Sequence, residues 1–119
     1  MRNFKNLNVW QEAMNFAEQA YLLTLQFPSD ERFGLTSQLR RSAVSIPSNI
    51  AEGCGYNTDP QLGRFLQIAQ GSAFEAETQI LLAKRLNLIP KDADINPILD
   101  KVDYVQKLLY KFHSSLNIP

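Results

Sequence analysis

The chain has 119 residues, of which 45% are hydrophobic, with twelve basic and twelve acidic side chains and a formal net charge of zero. That length suits one core rather than two domains, the hydrophobic fraction excludes a disordered chain, and balanced charge excludes a global pull toward nucleic acid. Cys54 is the sole cysteine, which excludes an intramolecular disulfide.

The amino-terminal Met-Arg-Asn-Phe-Lys-Asn lacks the apolar run of a secretory signal. No segment reaches the roughly 18–20 uninterrupted apolar residues of a membrane span. A single domain over residues 1–119, a cytoplasmic location and no membrane partner are the expectations.

The first helix is expected over Val9–Gln26. Asn8 followed three places later by Gln11 has the form of a capping box. Trp10, Ala13, Ala17, Ala20, Thr24 and Phe27 recur at heptad-like spacing, and Phe27-Pro28 ends the run because a residue before proline is pushed out of the α region. Ser29–Gly34 is a short connection with room for one helical turn capped by Ser29.

The second helix is expected over Leu35–Cys54, with Leu35, Leu39, Ala43, Ile46 and Ile50 on one stripe. Pro47 falls inside it and costs a straight helix roughly 3 kcal/mol, so a kink is expected there. The apolar phase continues across the proline, and the Ala43 carbonyl loses its helical partner. Gly53 and Gly55 supply the exit.

Asn57-Thr-Asp-Pro60 marks the next start, with Thr58 or Asp59 as cap and Pro60 in the first turn. This third helix runs to about Leu86, roughly 40 Å at ~1.5 Å per residue. Leu62, Leu66, Ala69, Ala73, Ala76, Ile80 and Ala83 form its core stripe, and the alanines permit close approach of a neighbour. After a loop over Asn87–Ile95, Asn96-Pro97 starts a fourth helix, although Asp92 or Asp94 can cap an earlier one. Its apolar face is Ile98, Val102, Val105, Leu109, Phe112 and Leu116. Asp100 and Asp103 early, with Lys107 and Lys111 late, suit the helix dipole. These elements predict an all-α fold, an antiparallel four-helix bundle running up-down-up-down, its second helix kinked at the proline.

Helices two and three each carry an additional stripe beside the core one. On the second it is Gln38, Arg41, Ser45, Asn49 and Glu52; on the third it is Phe65, Ile68, Ser72, Glu75, Gln79 and Leu82, with Gly71 alongside. A merely solvated face is usually richer in Lys and Glu. Three readings of this flank stand open: a polar network inside the bundle, an oligomer interface in which Arg41 pairs with Glu52 or Glu75 across subunits, and a contact face for a small molecule or nucleic acid. A desolvated ion pair fixes register and partner choice even where it adds no stability. Two different stripes meeting across subunits make a heterologous contact, which closes into a ring or runs on as a filament.

No catalytic, cofactor or metal set emerges from the sequence. Cys54 sits at a helix carboxyl end, where the dipole disfavours a thiolate, and packing is its expected role. The sole histidine, His113, reads as an exposed helix-end residue. One Cys, one His and no Glu-x-x-His pair give no metal ligand set. Gly53-Cys-Gly55 follows a helix and leads to no Gly-Lys-Ser/Thr, so it is not a phosphate loop. Arg2, Lys5, Arg40, Arg64, Lys84 and Arg85 are the candidate nucleic-acid contacts, against the reading of a solvated face. Repetition around a symmetry axis turns a weak basic contact into avidity.

Val9-Trp-Gln11 with Ala13, Phe27-Pro28 with Glu31, Gly34-Leu-Thr-Ser-Gln-Leu-Arg-Arg41, Ser45-Ile-Pro-Ser-Asn-Ile-Ala-Glu-Gly53 and Arg64-Phe-Leu-Gln-Ile-Ala-Gln-Gly-Ser72, then Glu75, Glu77 and Gln79, together carry a family resemblance. The chain resembles the four-helix bundle proteins encoded in intervening sequences of bacterial 23S ribosomal RNA genes, over nearly its whole length. The resemblance implies a homopentamer without enzymatic activity. The family is also similar to accessory proteins of diversity-generating retroelements, pentameric bundles that bind nucleic acid and a reverse transcriptase. In the family an Arg often follows the second glycine of Gly-x-Gly; here that place is Tyr56. A scaffold or adaptor that assembles with its own copies is therefore expected, and a nucleic-acid-binding accessory protein is the alternative.

Overall fold

The structure, a computed structural model, describes residues 2–119. Among the described residues there are four α-helices, two single 3-10 turns and no strand: α1 (Asn8–Thr24), α2 (Leu35–Cys54), α3 (Asp59–Arg85) and α4 (Asn96–Ser114), with turns at Phe4–Asn6 and Ser29–Glu31. The helices pack α1 on α2, α2 on α3, α3 on α4 and α4 back on α1, an arrangement compatible with a bundle. The extents are 45 × 24 × 24 Å. A helix of 27 residues such as α3 reaches roughly 40 Å, so it spans nearly the long axis.

The core draws on all four helices. Ala13, Phe16, Ala17 and Ala20 of α1 meet Leu39, Ala43, Ile46 and Ile50 of α2, Leu62, Leu66, Ala69, Ala73, Ala76 and Ile80 of α3, and Val102, Val105 and Leu109 of α4. The apolar stripes expected for α2 and α3 are buried at every position. In α1 the stripe differs: Phe16 is fully buried, whereas Trp10 is half-buried and stands edge-on to Phe4, with ring centroids 5.2 Å apart. Phe112 and Leu116 of the fourth face pack against the core from partly buried positions.

The ends of the elements show which local signals prevail. The capping box expected from Asn8 and Gln11 does not form. Leu7 occupies the cap position of α1, and Gln11 Nε2 instead donates to the Lys5 carbonyl at 3.0 Å. The reason is the preceding turn over Phe4–Asn6, whose own cap is Asn3, with Oδ1 accepting from Lys5 N–H at 3.2 Å. That turn feeds directly into α1 and fixes its start. At the other end α1 stops at Thr24, two residues before the expected end, and Phe27 N–H closes a turn on the Thr24 carbonyl. The turn over Ser29–Glu31 forms, but Pro28 rather than Ser29 stands at its cap position and no side chain caps it.

Thr58 caps α3, its hydroxyl accepting from Gln61 N–H at 3.3 Å. The helix ends in a Schellman-type motif. Asn87 takes a positive φ of 59°, and Leu88 N–H returns to the Ala83 carbonyl at 3.0 Å. Asparagine tolerates this left-handed position where most residues do not. Asp94 Oδ1 accepts from Asn96 N–H at 3.0 Å, so the acidic residue tends the start of α4 rather than of an earlier helix.

Polar contacts fix α4 in place. Lys101 Nζ meets Glu12 Oε2 at 2.6 Å on α1, and Gln106 Nε2 donates to Glu77 Oε1 at 2.8 Å on α3. Gly53 permits the close approach of α2 and α3: a Cβ there would lie 2.8 Å from Phe65 Cβ and 2.9 Å from Leu62 Cδ1.

Candidate functional site

The polar flank of α2 and α3 divides into an inner and an outer half. In the inner half, Ser42 Oγ donates to Gln79 Oε1 at 2.7 Å, and the Ser45 and Ser72 hydroxyls lie 2.8 Å apart. Asn49 Nδ2 donates to Ser45 Oγ at 2.9 Å and to the Ser45 carbonyl at 2.8 Å. Gln79 is buried, while Ser45, Asn49 and Ser72 are half-buried. These groups satisfy one another within one chain. Ser42, which the sequence stripe omitted, is fully buried and supplies the hydroxyl that Gln79 accepts from.

The outer half faces solvent. Gln38, Arg41, Glu52 and Glu75 are exposed, and among the described residues Arg41, Glu52 and Glu75 take part in no ion pair. Ile68 and Leu82 are each 43% exposed on α3, to either side of Glu75 in the helix, as the stripe anticipated. Phe65 is not part of this outer surface; it is half-buried and stacks on Tyr56, with ring centroids 5.2 Å apart.

A larger feature lies on the other side of α2. A groove of about 720 Å³ runs between α1 and α2, lined mainly by Trp10, Met14, Tyr21, Leu22, Leu25 and Val44. Leu22 and Leu25 are 63% and 71% exposed. The groove is bordered by Glu18 and Arg40. The sequence carried a signal for it: Met14, Tyr21, Leu22 and Leu25 recur at i, i+7, i+8 and i+11, a second apolar stripe on the first helix.

The candidate basic contacts do not gather in one place. Arg2 pairs with Asp59 at 3.7 Å and lies over the Phe112 ring, and Lys5 lies by the Phe4 ring. Arg64 and Lys84 are exposed on the same helix, twenty positions apart, and therefore roughly 30 Å from each other. Arg85 follows Lys84 at the end of α3 and is exposed as well. Arg40 is half-buried, its Nε donating to Thr24 Oγ1 at 2.8 Å while its guanidinium lies 4.6 Å from the Tyr21 ring centroid. It shares a depression with Arg32 and Arg41, a grouping the sequence reading missed because Arg32 lies in the connection rather than on the helix.

Cys54 is 1% exposed, and burial pushes its thiol above the ordinary range, against a smaller opposing pull from the charges of Arg2 and the amino terminus. His113 is half-buried rather than exposed, its Nε2 lying 3.3 Å from where a Cβ on Gly63 would be. The small residue at position 63 lets α4 and the carboxyl-terminal segment close over α3.

A family model described as 23S rRNA-intervening sequence protein matches residues 5–111. Among solved structures, a protein of unknown function from the S23 ribosomal protein family of Bacteroides thetaiotaomicron VPI-5482 is similar, with a TM-score of 0.80 and 24% identity over 90% of this chain and 99% of that one. A search of the curated proteins found no match.

Proposed function

Because the chain belongs to the 23S rRNA-intervening sequence protein family, we propose that it is a non-catalytic bundle that assembles with its own copies into a ring and acts as a scaffold or adaptor. The observation that carries this reading is the apolar groove between α1 and α2, where Leu22 and Leu25 are 63% and 71% exposed on a single chain. The occupant we assign to it is α3 of a second copy. That helix presents Ile68 and Leu82 outward with Glu75 between them, and the partner we assign to that carboxylate is the exposed Arg41, which lines a depression that shares Tyr21, Arg40 and Val44 with the groove. The two faces are unlike, so the contact is heterologous, and a heterologous contact that closes makes a ring. Five copies is the ring size that the family resemblance implies.

The same reading takes the helices to run up, down, up and down. Ser42 meets Gln79 while Ser45 meets Ser72, so the chain advances along α2 as it retreats along α3. It also takes α2 to bend at Pro47, where the missing N–H leaves the Ala43 carbonyl without its helical donor. A scaffold role agrees with the state of the polar residues, whose hydroxyls and amides are spent on one another, and with the burial of the Cys54 thiol.

Sedimentation of a Leu25→Glu variant tests the assignment. The charge falls on a side chain already 71% exposed, so the fold tolerates it. The expected result is loss of assembly with helical content retained; an unchanged sedimentation coefficient removes the groove from the interface. A second reading, a nucleic-acid-binding accessory protein, is favoured by the grouping of Arg32, Arg40 and Arg41 around one depression.

A further inference from the structure

The loop end of the groove opens into a second depression of about 640 Å³, where α1, the α1–α2 connection and the first turns of α2 meet. Its walls hold Tyr21, Arg32, Phe33, Thr36, Arg40 and Arg41, and no carboxylate lines it. Two guanidinium–aromatic pairs stand there: Arg32 lies 4.8 Å from the Phe33 ring centroid and Arg40 lies 4.6 Å from that of Tyr21. Phe33 is 86% exposed, the most exposed large apolar side chain among the described residues. Thr36 is 8% exposed, and its hydroxyl is buried without a hydrogen-bond partner. At the start of α2, Leu35 N–H donates to Glu31 Oε1 at 3.1 Å, so a carboxylate already occupies the helix amino terminus and the positive charge of the depression comes from its arginines.

From this geometry we infer that the depression is a binding site for single-stranded nucleic acid. Guanidinium groups take phosphate oxygens through paired N–H donors, and an exposed ring beside them takes the face of a base. An acidic protein segment would use the cations but would leave Phe33 in water. A duplex would offer phosphates but keep its bases stacked on each other. Arg40 is held in place by its bond to Thr24, so one cation is preorganised, while Arg32 and Phe33 form the open lip. Arg41 is assigned above to the contact between copies and Arg40 borders the groove given to the partner helix, so the groups that belong to this depression alone are Arg32 and Phe33. The inference deepens the nucleic-acid reading and does not depend on the ring.

Fluorescence anisotropy with a labelled single-stranded oligouridylate, at low and at moderate salt, tests it. The wild-type chain is expected to bind with an affinity that falls as salt rises. Phe33→Ala and Arg32→Gln, both at exposed positions, are each expected to weaken binding by roughly tenfold, while Arg64→Gln on the far part of α3 leaves it unchanged. Light scattering on the same samples keeps the two readings apart, since the site variants are expected to retain the wild-type mass whatever that mass is. Absence of binding at low salt, or equal affinity in wild type and both site variants, overturns the inference. Displacement of the oligouridylate by polyglutamate at equal charge concentration also overturns it, assigning the site to acidic protein segments.

Discussion

Ser42 and Gln79 share a 2.7 Å hydrogen bond in the interior, joining α2 to α3 across 37 positions of sequence. Ser42 is 2% and Gln79 8% exposed, so neither group can turn to water instead. Ser42→Ala leaves the Gln79 carbonyl oxygen buried and unpaired, at a cost of about 1–3 kcal/mol. Urea unfolding is expected to show this as a lower midpoint with an unchanged slope. Replacing both residues, Ser42→Ala with Gln79→Met, is expected to recover part of the loss, because no polar atom is then stranded.

Gly53→Ala is expected to destabilise the fold by about 1–3 kcal/mol, the range for adding a methyl to a filled contact. The new Cβ meets the Cβ of Phe65, which cannot swing aside as a flexible side-chain tip would. Thermal unfolding of the variant checks this, and a melting temperature equal to that of the wild type would contradict the close α2–α3 approach.

Cys54 is expected to resist thiol reagents in the folded protein and to react at once in denaturant. Burial raises its folded pKa, so on passing above the ordinary thiol range the unfolded chain loses its proton before the folded chain does. The folded state then binds more protons than the unfolded state, and stability falls as pH rises through that window. Reaction with a chromogenic disulfide, and unfolding midpoints measured on either side of the thiol range, check both statements.

Much of this fold was legible in the sequence. The core stripes of α2 and α3 follow from apolar spacing, because burial on one face is what that spacing records, and the end of α2 follows from its glycines. The start of α1 was legible to within one residue but its cap was not, since the turn over Phe4–Asn6 diverts Gln11 from the capping role its spacing suggested. The polar flank was recognised as unusual, but sequence could not divide it. Ser45, Asn49, Ser72 and Gln79 turn toward each other in the α2–α3 interface, while Arg41, Glu52 and Glu75 turn outward, and that separation depends on where α3 sits beside α2. The groove was missed because Met14, Leu22 and Leu25 were overlooked beside the stronger alanine stripe of the same helix. The grouping of Arg32 with Arg40 is a tertiary fact, created by the loop folding back over the start of α2.

Charge reversal tests the pairing between copies. Arg41→Glu and Glu75→Arg are each expected to weaken assembly, because both positions are exposed in one chain and each change sets like charges face to face across the contact. The double variant is expected to restore assembly in part. Equal masses for all three variants and the wild type would place both residues on an idle surface.

The mass of the wild-type chain in solution tests the central claim most directly. Light scattering at micromolar concentration is predicted to give one species at a multiple of the 13.5 kDa chain, five-fold if the family resemblance holds. A single species at the mass of one chain, unchanged by concentration, would contradict the account.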